Sequence, residues 1–245
     1  MRRATALVLA ALALTGCETT AEKSAKLAAA ARRAAGDTHT GAPTSRGLSI
    51  ARPSTVVKVS ATAVLHSPEG TAAVVSVRNY SAVPLRNVPI QITVRDGRGA
   101  SIYSNTQPGL GPALVSASVL RAHASLTWVD DQIQAGGVPR TVEAEIGQAP
   151  RARGAIPELE VAGAHLVEDP GTGPGAAGTV VNQSAVSQRE LVVYAVARRR
   201  ARVVASGRAV LPEAPAHAST PFQLFFIGDP RGARLELSAP ATTLP

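Results

Sequence analysis

The sequence predicts an all-β protein, in which an export signal and a tether precede two tandem antiparallel β-sandwich domains. Three observations predict it. The 245 residues are punctuated by 21 Gly and 18 Pro, the level of a chain full of turns. From Val57 onward, apolar and polar residues alternate with the period of a strand, and no helix-period run follows. The order of features in the first half then recurs in the second. The composition (45% hydrophobic, 17% charged, 3% aromatic) excludes a coiled coil, a collagen and a disordered polyelectrolyte. It also argues against a nucleotide or sugar pocket lined with stacked aromatics.

The chain opens with Arg2 and Arg3 ahead of an apolar run from Ala4 to Leu14. That run is too short for a spanning helix, which needs about 20 residues. It ends at Leu14-Thr15-Gly16-Cys17, which resembles the lipobox of bacterial lipoprotein signal peptides. The resemblance implies removal of residues 1–16, a thioether-linked diacylglycerol on Cys17, and an extracytoplasmic protein anchored to the cell membrane or outer membrane. Several acyl chains anchor stably where one is marginal. Cys17 is the only cysteine, so the remainder of the chain has neither disulfides nor thiol chemistry.

Residues 17–53 read as a tether. From Glu18 to about Ala35 an Ala-rich helix has only Leu27 as a bulky apolar residue, and with no stripe to bury it is expected to be frayed or exposed. Gly36 to Pro53 is a Gly/Ser/Thr/Pro linker. As flexible coil, segment 18–53 would span about 30–36 Å, so its expected role is spacing. Its lysines and arginines suit an anionic lipid surface or a solvated spacer equally well.

The first sandwich is expected over 54–148. Val57, Val59, Ala61, Ala63 and Leu65 alternate with polar residues, and Ser67-Pro68-Glu69-Gly70 has turn chemistry. A β-rich run covers Thr71–Arg78. Val88, Ile90, Ile92 and Val94 alternate again before the hairpin signal Arg95-Asp96-Gly97-Arg98-Gly99. After a linker at 149–156, the second sandwich is expected over 157–240, with a tail at 241–245. Asn79-Tyr80-Ser81 is matched by Asn182-Gln183-Ser184, and Val88, Ile90 and Val94 by Leu191, Val193 and Ala197. Ala122-His123-Ala124-Ser125 recurs letter for letter as Ala216-His217-Ala218-Ser219. Each copy of that tetrapeptide precedes an aromatic strand, carrying Trp128 in one and Phe222, Phe225 and Phe226 in the other. Each half has the size of one immunoglobulin-like domain.

The stretch from Val77 to Gly99, with Asn79-Tyr80-Ser81, Leu85 and Val88-Pro89-Ile90-Gln91-Ile92-Thr93-Val94, resembles the small extracellular β-sandwich modules called FxLYD domains. The resemblance covers about 54–130 and, more weakly, 158–227. In the second half arginines replace the Asp-x-x-Gly turn, and the Phe-x-Leu-Tyr-Asp string itself is absent. It implies a sandwich fold and an envelope location, and it carries over no catalytic residue.

Arg198, Arg199, Arg200 and Arg202 fall at a hairpin tip, where their guanidinium forks suit phosphate or carboxylate on a wall polymer, a lipid headgroup or an acidic protein face. Read structurally, the same residues are a solvated turn that protects an edge. DNA or RNA fits poorly, because the chain is exported and the tip has no interleaved aromatics. Lys occurs only at 23, 26 and 58, so the basic excess is mostly arginine. The five histidines have no metal-ligand spacing. His165-Leu166-Val167-Glu168-Asp169 is set apart by strand alternation, and Asp130-Asp131 reads as a solvated strand end. The sequons at Asn79 and Asn182 read as turns. No catalytic motif and no cofactor site is found.

Three functions remain open: a non-catalytic interaction or scaffold module bound to another envelope protein, a binder of anionic polymer or headgroups through the arginine tip, and an enzyme or carrier with a cleft between the domains. The first is the expected one, with the membrane as partner through the diacylglyceryl anchor.

Overall fold

The computed structural model describes residues 19–34, 47–169 and 173–245. Within them the chain is mostly strand, in antiparallel sheets, with one α-helix, α1 (Thr20–Ala34). The first set of strands is β1 (Val57–Ser67), β2 (Gly70–Asn79), β3 (Leu85–Asp96), β4 (Ser101–Ser104), β5 (Ser116–Leu120), β6 (Ser125–Asp130) and β7 (Pro139–Ile146). The second set is β8 (Leu159–Asp169), β9 (Gly173–Asn182), β10 (Gln188–Arg199), β11 (Arg202–Ala214), β12 (Ser219–Phe225), β13 (Ile227–Gly228) and β14 (Arg234–Ser238).

The two sets have matching topology. In the first, a β1-β2-β6 sheet faces one centred on β3, which pairs β7 along one edge and β4 and β5 along the other. In the second, a β8-β9-β12 sheet faces one centred on β10, which pairs β14 along one edge and β11 along the other. Where β11 is continuous, the first set has a break between β4 and β5. Asn105 fills it: its Oδ1 accepts from Ile92 N, and its Nδ2 donates to Ile90 O and Leu114 O. The side chain takes the place of the missing strand backbone.

The expected turns lie where the residues put them. Pro68 and Glu69 join β1 to β2, residues 97–100 join β3 to β4, and Arg200-Ala201 join β10 to β11. Asn79 and Asn182 are fully buried and do the same work in each set. The Asn79 Oδ1 accepts from Ser81 N and Oγ, and its Nδ2 donates to Val83 O and Arg121 O. The Asn182 Oδ1 accepts from Ser184 N and Oγ, and its Nδ2 donates to Val186 O, Ala214 O and Pro215 O. Opposite each corner, His123 (φ 54°) and His217 (φ 52°) turn the chain in the left-handed region, and their N–H groups donate to Ser81 O and Ser184 O.

The two sandwiches are stacked. In β10 every residue from Leu191 to Ala197 is buried. Leu191, Val193, Ala195 and Ala197 join the core with Phe222, Leu224 and Phe226, whereas Val192, Tyr194 and Val196 pack into the core that holds Trp128, Val74 and Val129. Strand β2 is likewise buried without a gap from Thr71 to Val75. Sheets buried on both faces lose the simple in-out alternation, and here they make a stack of four sheets.

The expectation of a frayed or exposed helix is not met. Helix α1 docks on β11, β12 and β2 with Thr20, Ser24, Ala28 and Ala31 buried. Small residues spaced about four apart form a narrow stripe that lets the helix axis approach the sheet closely, so no bulky residue is required. Thr19 caps the helix, with its Oγ1 accepting from Glu22 N while Glu22 Oε2 accepts from Thr19 N. Residues 47–53, also assigned to the tether, lead beside β7 into Ser54, with Ser54 N donating to Ile146 O and Gln148 N to Arg52 O. The remainder of the tether lies outside the described residues.

Two stability measurements follow from these contacts. Trp128→Ala should cost about 3–5 kcal/mol in urea unfolding, since the indole is wholly buried and its Nε1 donates to Ala113 O. Asn79→Ala and Asn182→Ala should each cost about 1–3 kcal/mol, by amounts within about 1 kcal/mol of each other, because each strands buried carbonyls at an equivalent corner. A neutral result at either asparagine would contradict that equivalence.

Candidate functional site

Cys17 and the Leu14-Thr15-Gly16 segment lie outside the described residues. The arginine tip is on the β10–β11 hairpin, but its four side chains do not converge. Arg198 Nε donates to Glu236 Oε2 at 2.9 Å, and Arg199 Nη2 donates to Arg231 O at 2.6 Å. Arg200 sits in the turn at φ 58°, and both it and Arg202 are exposed without an ion-pair partner among the described residues. The tip therefore offers two uncommitted guanidiniums where the sequence suggested four.

Asp130 and Asp131 are not a solvated strand end. Both are buried, Asp130 as the last residue of β6 and Asp131 just beyond it, and they take partners on different elements. Asp130 faces the interior of the first sandwich, accepting from Tyr103 Oη at 3.0 Å and from Gln132 N at 3.0 Å. Burial pushes its carboxyl up to about 6, against the opposing pull of the Gln132 N–H and of Arg208. Burial, with Asp130 alongside, also holds the Tyr103 phenol far above its usual range.

Asp131 faces the second sandwich. Its Oδ1 accepts from Arg208 Nε at 2.7 Å, and its Oδ2 accepts from Ser24 Oγ at 2.7 Å. One carboxylate just past the end of β6 thus joins β11 and α1. The ion pair is almost wholly sequestered, with side-chain exposures of 1% for Arg208 and 2% for Asp131. Burial works against the Arg208 charge, but the adjoining Asp131 more than compensates and keeps the guanidinium charged. Its Nη2 is buried without a hydrogen-bond partner.

Arg208 also lines a cavity of about 820 Å³ between the sandwiches. One wall is the start of β3 with the 112–119 segment, and the facing wall is the outer surface of β10 and β11. Linker residues 150–153 and the C-terminal residues 242–245 close the sides. The C-terminal residues are tied down rather than loose. Gln188 Oε1 accepts from Thr242 N and Thr243 N, and Thr242 Oγ1 donates to Arg189 O.

Six arginines line this cleft: Arg32 from α1, Arg86 from β3, Arg151 and Arg153 from the linker, Arg189 from β10 and Arg208 from β11. Glu190 is the only acidic side chain among the described residues that line it. Burial raises its pKa, with Arg32 opposing. Burial and the nearby Arg208 lower that of Arg32. Arg86-Asn87 and Arg189-Glu190 have the same separation in sequence as Asn79 and Asn182, and both Asn87 (φ 48°) and Glu190 (φ 47°) are left-handed. Equivalent bends in the two sandwiches therefore aim the flanking arginines into one space.

Sequence reasoning allowed for a cleft between domains but assigned none of these arginines to it. The repeated Arg86 and Arg189 were the available signal. Among the described residues there is no group of three or more His, Cys, Asp or Glu suited to a metal ion, and no helix is long and apolar enough to cross a membrane. No protein-family model matches the chain, and no curated protein matches its sequence.

The Asp130 carboxyl gives a pH test. The folded state keeps a proton that the unfolded chain loses at its ordinary pKa of 3.8. This group's stabilisation is complete below about pH 4 and is lost as pH rises through about 6, for a change on the order of 3 kcal/mol. Asp130→Asn mimics the protonated form, accepting from Gln132 N and donating to Tyr103. Its stability should gain on that of the wild type from pH 4 to 7 in urea titrations, and parallel pH profiles would contradict the assignment.

Proposed function

We propose that the chain is a lipid-anchored, extracytoplasmic lipoprotein of the bacterial envelope that acts as a non-catalytic interaction or scaffold module. The observation that carries this reading is the docked position of α1. The helix begins at Thr20, three residues after the lipobox cysteine, and Ala21 N donates to Glu69 O in the β1–β2 turn. Lipid on Cys17 would then hold one corner of the stacked sheets close to the bilayer. A rigid body in a fixed orientation suits presentation of a surface to a neighbouring envelope protein, whereas a body on a long flexible spacer would not keep one face directed at a partner.

The equivalent asparagine corners support reading the two sandwiches as duplicated modules of the FxLYD-like kind. The alternative, an anionic-polymer or headgroup binder acting through Arg198–Arg202, has less support because Arg198 and Arg199 already hold partners within the chain.

Cells fed a clickable fatty acid should label the wild-type protein, and Cys17→Ser should abolish the label and release the protein from the membrane fraction. In-cell crosslinking should recover a discrete protein partner equally from the wild type and from a variant with Arg198, Arg199, Arg200 and Arg202 changed to Ser. Recovery of only wall or lipid material, lost in the Ser variant, would overturn the scaffold reading in favour of the tip.

A further inference from the structure

We propose that the outer face of the β1-β2-β6 sheet, at its Tyr80 end, is a docking surface for an acidic face of another protein. The inference rests on the scaffold reading and names the surface that serves it.

Four side chains form the patch. Lys58 on β1 stands directly opposite Arg78 on β2, and Tyr80 N donates to Val56 O, which continues the ladder and sets Val56 opposite Tyr80. Cross-strand partners, and residues two apart on a strand, share one sheet face, so the four side chains lie together. All four are exposed, Tyr80 by 60%. Arg78 lies over the Tyr80 ring, with its Cζ 5.4 Å from the centroid. The other six aromatic side chains of the protein are buried or half-buried.

The second sandwich supplies the comparison. There Glu160 stands opposite Val181, as Lys58 stands opposite Arg78, and Gln183 N donates to Glu158 O, as Tyr80 N does to Val56 O. Gln183 Nε2 also donates to Glu160 Oε2. The same corner is thus built with neither an aromatic nor a cation, so the fold does not require what stands at the first one. At the first corner two like charges face each other directly, which weakens a strand pair. Neither cation joins an ion pair among the described residues. Carboxylates brought by a partner would turn that repulsion into attraction.

The chemistry of the patch fits a protein partner. Tyr and Arg are the side chains that most often anchor protein interfaces, and Val56 adds apolar area beside them. Ser76, Ser125 and Thr127 continue the same face on β2 and β6 and give it a polar rim. The patch is also remote from the expected lipid corner. Helix α1 begins beside the β1–β2 turn, and Lys58 and Arg78 lie about 25–30 Å along the strands from that turn. Headgroups at that corner are several Debye lengths away.

The test is in-cell photocrosslinking of the full chain, with p-benzoylphenylalanine in place of Ser125 at the rim or, as a control, in place of the exposed Leu166 on β8. A discrete adduct with one other protein is expected from position 125, at a yield at least tenfold above position 166. Mass spectrometry should place the contact in a segment of that protein rich in Asp and Glu. Lys58→Glu combined with Arg78→Glu should cut the yield at least tenfold, and so should Tyr80→Ser. Gln183→Ser, at the equivalent corner, should leave it unchanged. All these positions are exposed, and an unchanged melting curve of each purified variant verifies the fold. A partner recovered by general crosslinking that gives no adduct at 125, or an adduct indifferent to the variants, would overturn this surface and leave the scaffold reading standing. An adduct between two copies of the chain would overturn the proposal in favour of self-association. Adducts with lipid or glycan alone, with no protein recovered by either method, would overturn both readings.

Discussion

The arrangement of this protein turns on one carboxylate. Asp131 is buried at the junction of the two sandwiches and α1, and it accepts from Arg208 on one side and Ser24 on the other. Removing both charges from water costs nearly as much as their attraction returns, so the pair adds little net stability. Its effect is on geometry. Sliding or tilting one sandwich on the other would part the ions and leave a charge uncompensated in the interior, at a cost of about 3–5 kcal/mol. The apolar contacts of Val192, Tyr194 and Val196 with the first core supply area without direction, and the ion pair supplies the register. Because Arg208 also lines the cleft, the same contact that fixes the stack fixes the shape of the candidate site.

The stack accounts for features that a pair of independent sandwiches would not need. Strand β10 has no solvent-facing side from Leu191 to Ala197, and neither has β2 from Thr71 to Val75. Within the second sandwich itself, a Cβ on Gly207 would come within 1.9 Å of Phe225 O, so the packing of β11 against β12 admits only glycine there. The linker is likewise structural: Arg86 N donates to Pro150 O and Ala152 N to Pro84 O, which holds residues 150–153 beside β3. Arg151 and Arg153 are thus delivered to the cleft by backbone bonding rather than left on a loose connection.

Much of the fold was legible in the sequence, because strand period and turn chemistry are local signals. Val88, Ile90, Ile92 and Val94 alternate and are all buried, and the repeated Asn and His residues mark matching corners. Other features were hidden for physical reasons. Helix α1 buries Ser24, Ala28 and Ala31, a stripe so small that a search for bulky apolar residues passes over it. Asp130 and Asp131 look like solvated charges until their partners, distant in sequence, are known. The unbroken run from Leu191 to Ala197 signals a strand covered on both faces, yet it says nothing of what covers the second face. The cleft arginines come from five separate segments, and only the Arg86–Arg189 correspondence carried a sequence trace.

Taken together, α1, the two sandwiches and the linker form one body whose parts hold one another in place. The most direct test is equilibrium unfolding in urea with two probes, Trp128 fluorescence for the first sandwich and amide exchange of β9 and β12 for the second. A single transition with coincident midpoints is predicted, since neither sandwich can leave without exposing Val192, Tyr194 and the Asp131–Arg208 pair. Separate midpoints in the unaltered protein, with the second sandwich melting while Trp128 stays buried, would show that the stacking does not couple the two halves.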